Sequence, residues 1–120
     1  FNMSNQRRRL QAPSYFVLAS LLDGPRHGYA VLGQVEALSE GRVRLATGTL
    51  YAVLDRLHGA ELIEIVSEEI VNGRTRRSYA LTPTGRETLR AEAARLAADA
   101  AVVTDRMHRS ATRLPGVTFA

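Results

Sequence analysis

The chain has 120 residues, 45% of them apolar, and a formal net charge of +4. That suits one domain with one modest core and the composition of an ordinary globular protein, not a disordered one. Having no cysteine, the sequence excludes disulfides, thiolate metal sites and cysteine catalysis. Its longest apolar stretch, Tyr15 to Leu22, is far shorter than the ~18 residues a membrane span needs.

Met3 reads as the native start and Phe1-Asn2 as an appended scar, with no leader peptide in view, so a cytoplasmic protein is expected. All 16 basic residues are Arg, which GC-rich coding explains first. Arg is also the better bidentate partner of phosphate and guanine. Arg7, Arg8 and Arg9 form a basic run, either a solvated lead-in or an arm near a polyanion. Pro13 and Ser14 open a helix, and Phe16, Leu18, Ala19, Leu21 and Leu22 make it mostly buried. Asp23-Gly24-Pro25 stops it. A second helix is predicted from His27 to Leu38, with an inward stripe of Tyr29, Leu32, Val35 and Leu38, ended by Ser39-Glu40-Gly41. Arg42-Val43-Arg44-Leu45 alternates like a short strand. Thr47 is the expected N-cap of a third helix. Its Leu50, Val53, Leu54 and Leu57 fall at i, i+3, i+4 and i+7. Its other face carries Thr49, Tyr51, Ala52, Asp55 and Arg56.

After Gly59 the period changes from helix to strand. Leu62-Ile63-Glu64-Ile65-Val66 and Ser78-Tyr79-Ala80-Leu81 read as strands, and Asn72-Gly73 between them is a hairpin turn signal. That turn sets Val71 opposite Arg74, Glu69 opposite Arg76, Glu68 opposite Arg77 and Val66 opposite Tyr79, so opposite charges meet across the strands. Thr82-Pro83 then caps a long helix to about Ser110. Leu89, Ala93, Leu96, Ala100, Val103 and Met107 recur at 4, 3, 4, 3, 4, a heptad seam. A helix of ~40 Å outruns so small a domain, which predicts a partner chain on that seam rather than packing on its own core alone. Leu114-Pro115-Gly116 breaks it.

The predicted order is helix, helix, strand, helix, hairpin, long helix. It describes a mainly α (α+β) fold: a winged helix-turn-helix with a β-hairpin wing and a long C-terminal dimerisation helix. The expected parts are a basic lead-in over 1–12, a winged domain over 13–82, a dimerisation helix over 83–112 and a tail over 113–120. Such a fold places its third helix for a major groove, where base edges need side chains and phosphates need cations or N–H donors. Thr49, Ala52 and Arg56 supply the groove face, and the backbone of Thr47, Gly48 and Thr49 supplies donors. Arg74, Arg76 and Arg77 sit on the wing, and Arg74 is unpaired in the predicted register; Arg42 and Arg44 are further candidates. An enzyme is not indicated: His27, His58 and His108 lie far apart with no metal spacing, and no Gly-rich loop follows a strand in phosphate-binding form. No metal or cofactor is expected. A winged helix that binds only protein is the alternative.

His27-Gly28-Tyr29, Thr47-Gly48-Thr49-Leu50-Tyr51, Leu54-Asp55-Arg56-Leu57 and Arg77-Ser78-Tyr79-Ala80-Leu81-Thr82 with Gly85 occur in that order. In this respect the chain, over about Tyr15 to Leu96, resembles the PadR family of transcriptional regulators, in its smaller subgroup. The resemblance implies a homodimer paired through the first and C-terminal helices that binds double-stranded operator DNA, usually as a repressor. It implies phosphate contacts through the hydroxyls of Tyr29 and Tyr51, for which the plain alternative is core packing with the hydroxyl at the edge. A small hydrophobic effector between protomers is a further implication, with a pocket at Leu96, Ala100 and Val103 as the alternative to a plain seam. Relatives that bind planar drugs use Trp, which this chain lacks, so that site is not carried over. Ala30, Thr47 and Ala52 also depart from the family pattern, as does Glu61, which stands where Gly is usual; Gly59 is the expected substitute for the turn.

Overall fold

In the computed structural model, which describes residues 9–113, the first helix is α1 (Ala12–Ala19). It is followed by β1 (Arg26–His27), α2 (Gly28–Leu38), α3 (Thr47–Gly59), β2 (Ile63–Val71), β3 (Arg74–Leu81) and α4 (Pro83–Arg113). This is the winged helix-turn-helix predicted from the order of elements, with a long C-terminal helix. The expectations for Arg7, Arg8 and the Leu114-Pro115-Gly116 break lie outside the described residues. Two compact units divide after Arg90, and the core belongs to the first.

α1 ends three residues before the predicted Leu22. Leu21 and Leu22 make tighter bonds, to the carbonyls of Leu18 and Ala19, and Arg26 Nε donates to the Ser20 carbonyl at 2.8 Å. A cation at the helix C-terminus thus satisfies an orphan acceptor. Val17, Leu18 and Leu21 are buried, while Leu22 is 45% exposed.

α2 spans the expected residues but turns a different face inward. Gly28, Val31 and Val35 are buried, whereas Tyr29 is 72% exposed and Leu38 is also exposed. The helix is apolar nearly all round, so periodicity alone does not choose between adjacent stripes. Its end is a Schellman motif: Glu40, at φ 56°, follows the C-cap, and the Gly41 N–H donates to the Glu36 carbonyl at 2.8 Å.

The strand expected at Arg42 to Leu45 is absent; those residues are irregular. Buried Ser39 explains it, since its Oγ accepts the Val43 N–H at 2.9 Å and donates to the Val43 carbonyl at 3.3 Å. A side chain has taken the backbone groups that a sheet would use. The third strand is β1 instead, in an antiparallel sheet of order β1-β3-β2, with Arg26 opposite Tyr79 and His27 opposite Ser78. His27 Nδ1 and Ser78 Oγ share a hydrogen bond of 2.9 Å across that pair.

α3 buries the predicted stripe of Leu50, Val53, Leu54 and Leu57. Its N-cap is Ala46, not Thr47, and it carries no side-chain cap hydrogen bond. The exit corrects the expected role of Gly59, which is the last helical residue. Glu61 takes φ 63°, the Glu61 N–H donates to the His58 carbonyl, and the Leu62 N–H donates to the Leu57 carbonyl. The turn therefore uses a left-handed Glu.

The hairpin strands are longer than predicted, because pairing continues through polar residues to the turn. Asn72 and Gly73 both have positive φ, 53° and 76°, as a type I′ turn requires. Val71 faces Arg74, Glu69 faces Arg76 and Glu68 faces Arg77, as expected. Val66 does not face Tyr79: a bulge between Ile65 and Ser67 gives that place to Ile65. Pattern and turn fix the register near the turn, but the extra residue re-aims the strand so that Ile63 reaches the core.

Thr82 Oγ1 accepts the Gly85 N–H at 2.9 Å, capping α4, and donates to the Glu61 carbonyl at 2.7 Å. Leu89, predicted for the dimer seam, is 5% exposed and packs in the core of its own domain. Further along, Leu96, Val102, Val103 and Met107 are 42%, 60%, 56% and 68% exposed.

Candidate nucleic-acid interface

The site begins at the uncovered side of α3. Because Leu50, Val53, Leu54 and Leu57 face the core, Thr47, Gly48, Thr49, Ala52, Asp55 and Arg56 are all exposed. With no side-chain cap on the helix, the first-turn N–H groups at Thr47 to Thr49 have no hydroxyl or carboxylate competing for them. A helix start in this state favours an anion. Arg56 lies two turns on, and its Nη2 reaches Ser14 Oγ on α1 at 3.4 Å. That long contact biases the guanidinium toward α1 without burying it.

Tyr51 and Tyr29 behave differently. Tyr51 is 40% exposed, and its ring lies over Gly28 at the start of α2. It packs against α2 and keeps part of its side chain at the surface. Tyr29, on the first turn of α2, does not pack in the core.

The wing adds the second set of cations. Arg74, Arg76 and Arg77 are exposed. Arg77 Nε binds Glu68 at 2.9 Å, and that hydrogen bond first, then charge attraction, holds its pKa above the ordinary guanidinium value. Among the described residues no ion pair joins Glu69 to Arg76, although they face each other, and none engages Arg74. Solvent screens a surface pair of this kind and leaves it weak, so Arg77 is available to exchange Glu68 for a phosphate. Arg44 pairs with Glu36 at 3.6 Å, and Arg42 Nε donates to the Ser39 carbonyl at 2.9 Å, so both have local partners.

Helix and wing meet at Tyr79 on β3, which is 2% exposed. Burial raises the pKa of its phenol, Arg77 opposes the shift, and Tyr51 and Asp55 add to it. Tyr51, Asp55, Arg77 and Tyr79 thus share one electrostatic neighbourhood. Sequence reasoning named Tyr51, Arg56 and Arg77 but missed Gly28, Ser14 and Tyr79 as their respective supports. Only the small residue at a helix start hinted at Gly28. Among the described residues there is no cluster of His, Asp or Glu suited to a metal, and no helix is long and apolar enough to cross a membrane.

The Transcriptional regulator PadR-like family model matches residues 17–91, which contain α2, α3, the wing and the first turns of α4. An uncharacterized 37.1 kDa protein in transposon TN4556 of Streptomyces fradiae is 44% identical over 77 residues, 64% of this chain. The match spans only 21% of that protein's length. A PadR family transcription regulator from Clostridium difficile R20291 superposes with a TM-score of 0.66 at 19% identity, over 81% of this chain and 99% of that one. Bacillus subtilis PadR, solved in complex with operator DNA, gives a TM-score of 0.57 at 20% identity, over 64% of this chain and 44% of that one. At these identities the two structures speak for the fold. The family match covers more than half of the sequence, and it makes this chain a member of the PadR-like family of transcriptional regulators, not an enzyme.

Proposed function

We propose that this chain is a homodimeric repressor that binds duplex operator DNA, with α3 in the major groove and the wing on the flanking backbone. The observation that carries the reading is the division of α3 into a fully buried stripe and an exposed face of Thr47, Thr49, Ala52 and Arg56. A helix with one free polar face beside a cationic hairpin meets the steric and electrostatic needs of groove docking. Bacillus subtilis PadR, a relative in fold, was solved in complex with operator DNA, which supports operator DNA as the partner. In this reading Thr49, Ala52 and Arg56 address base edges. The Thr47, Gly48 and Thr49 amides, with the Tyr29 and Tyr51 hydroxyls, address phosphates. Arg74, Arg76 and Arg77 supply the salt-dependent part of the affinity.

Pairing is assigned to α4. Leu96, Ala100, Val103 and Met107 recur at heptad spacing and are exposed, and apolar groups so spaced match a helix partner. Half-sites one turn apart sit ~34 Å from each other, so two recognition helices must keep that distance. A small hydrophobic effector seated between protomers beside Leu96 and Val103 would alter it and release the operator.

The test is an anisotropy titration of the purified chain against labelled duplexes from the promoter beside its own gene, at several salt concentrations. Submicromolar binding that weakens steeply with salt is expected. No binding to any duplex at low salt would instead favour a winged helix that docks only on proteins.

A further inference from the structure

We infer that Gly28 is a positioning residue for the Tyr51 hydroxyl, setting operator affinity without contacting DNA; the inference rests on the operator-binding reading above. A Cβ built at Gly28 would lie 2.8 Å from Tyr51 Oη, 3.0 Å from Cε1 and 3.1 Å from Cζ. The ring therefore occupies the space that any side chain at position 28 would take. The backbone does not demand glycine here: among the described residues the glycines at positive φ are Gly24, Gly41 and Gly73. At the head of α2, Ala would be the better helix former. What the missing side chain provides is a seat for the ring, between the two helices of the helix-turn-helix.

The chemistry of the clash decides its consequence. All three nearest atoms at Gly28 belong to the far end of one side chain, and that side chain is 40% exposed. A methyl group there turns the ring outward at little cost and leaves the core intact. Gly85 is the contrast, since its built Cβ would meet the backbone carbonyl of Leu62. Nothing at that site can rotate aside. The two glycines of the motif thus serve different ends: Gly85 closes the fold, and Gly28 aims a hydroxyl. Hydrogen bonds weaken steeply with distance and angle, so a displaced phenol loses its phosphate even though it is still present.

The experiment compares wild type, Gly28→Ala, Tyr51→Phe and the double variant in the full chain. Gly28→Ala is expected to keep or raise Tm and to weaken operator binding at least about tenfold, the loss of one charge-assisted hydrogen bond. Tyr51→Phe should lose as much, and adding Gly28→Ala to it should change affinity by less than about twofold. In the free protein, the Gly28 Hα resonances should show the ring-current shift of a covering aromatic, and the Tyr51 ring signals should move in Gly28→Ala. Wild-type affinity in Gly28→Ala, an equal loss with and without the Tyr51 hydroxyl, or a lowered Tm would overturn the inference. Should wild type bind no duplex, the operator reading fails. The seat is then judged on the free protein alone: unmoved Tyr51 ring signals sink it and displaced ones uphold it.

Discussion

Gly85 and Glu61 sit on either side of one contact, where the start of α4 crosses the exit of α3. The Cβ that Gly85 lacks would lie 1.9 Å from the Leu62 carbonyl oxygen. Gly85→Ala must therefore push two backbone segments apart, and the loss should be about 3 kcal/mol, at the upper end of overpacking costs. Urea denaturation of the purified variant measures it, and an unchanged midpoint would show that the crossing is elastic. Glu61 carries the opposite defect, a residue with a Cβ held at φ 63°. Left-handed backbone costs ~1–2 kcal/mol in a residue with a Cβ. Part of that gain is offset by the greater freedom of glycine in the unfolded chain. Glu61→Gly is thus expected to stabilise by about 0.5–1 kcal/mol, seen as a Tm rise of a few degrees. The sequence placed Glu61 beside this turn but gave the turn to Gly59. Which residue goes left-handed depends on where the helix stops, and that is fixed by the Leu62 to Leu57 hydrogen bond.

Among the elements, the wing was the most legible. Two residues of positive φ define the turn, and cross-strand charge settles the register next to it, so three of four predicted pairs occur. The fourth fails at the bulge, because an unpaired residue has no sequence period to announce it. Arg74 stands at the tip of this element without a carboxylate partner among the described residues. Arg74→Ala is expected to weaken binding to every DNA sequence and to lower the salt slope by ~0.9, one phosphate's worth. An unchanged slope in a salt titration would remove Arg74 from the interface. The recognition helix should respond differently. Thr49→Ala is expected to relax sequence preference by ~1–3 kcal/mol at one base position. Uniform loss across all duplexes would contradict a base contact.

At the scale of the whole molecule the question is what covers the exposed side of α4. Val103 and Met107 are 56% and 68% exposed, which is expensive for apolar groups in water and ordinary for a pairing surface. A charge there should prevent pairing and leave the winged domain untouched. Val103→Glu is expected to elute as a monomer at micromolar concentration, where the proposed pairing predicts a dimer for wild type. Its operator affinity should fall by about 100-fold or more, because two linked half-site contacts become independent. Light scattering on the variant checks this, and a persistent dimer would move the pairing surface elsewhere. Leu89 takes no part in that surface, because it completes the core of its own domain.

Local rules were enough for the succession of helices and hairpin, the inward stripe of α3 and the Asn72-Gly73 turn, since each depends on neighbours within a few residues. Contacts between distant segments decided the rest. Apolar residues nearly all round α2 left its facing open until Gly28 met Tyr51. The edge strand went to Arg26-His27 because Ser39 had claimed the backbone of Val43. Periodicity reports which residues share a face; only the approach of another element determines which face is covered, and which backbone groups are left to pair.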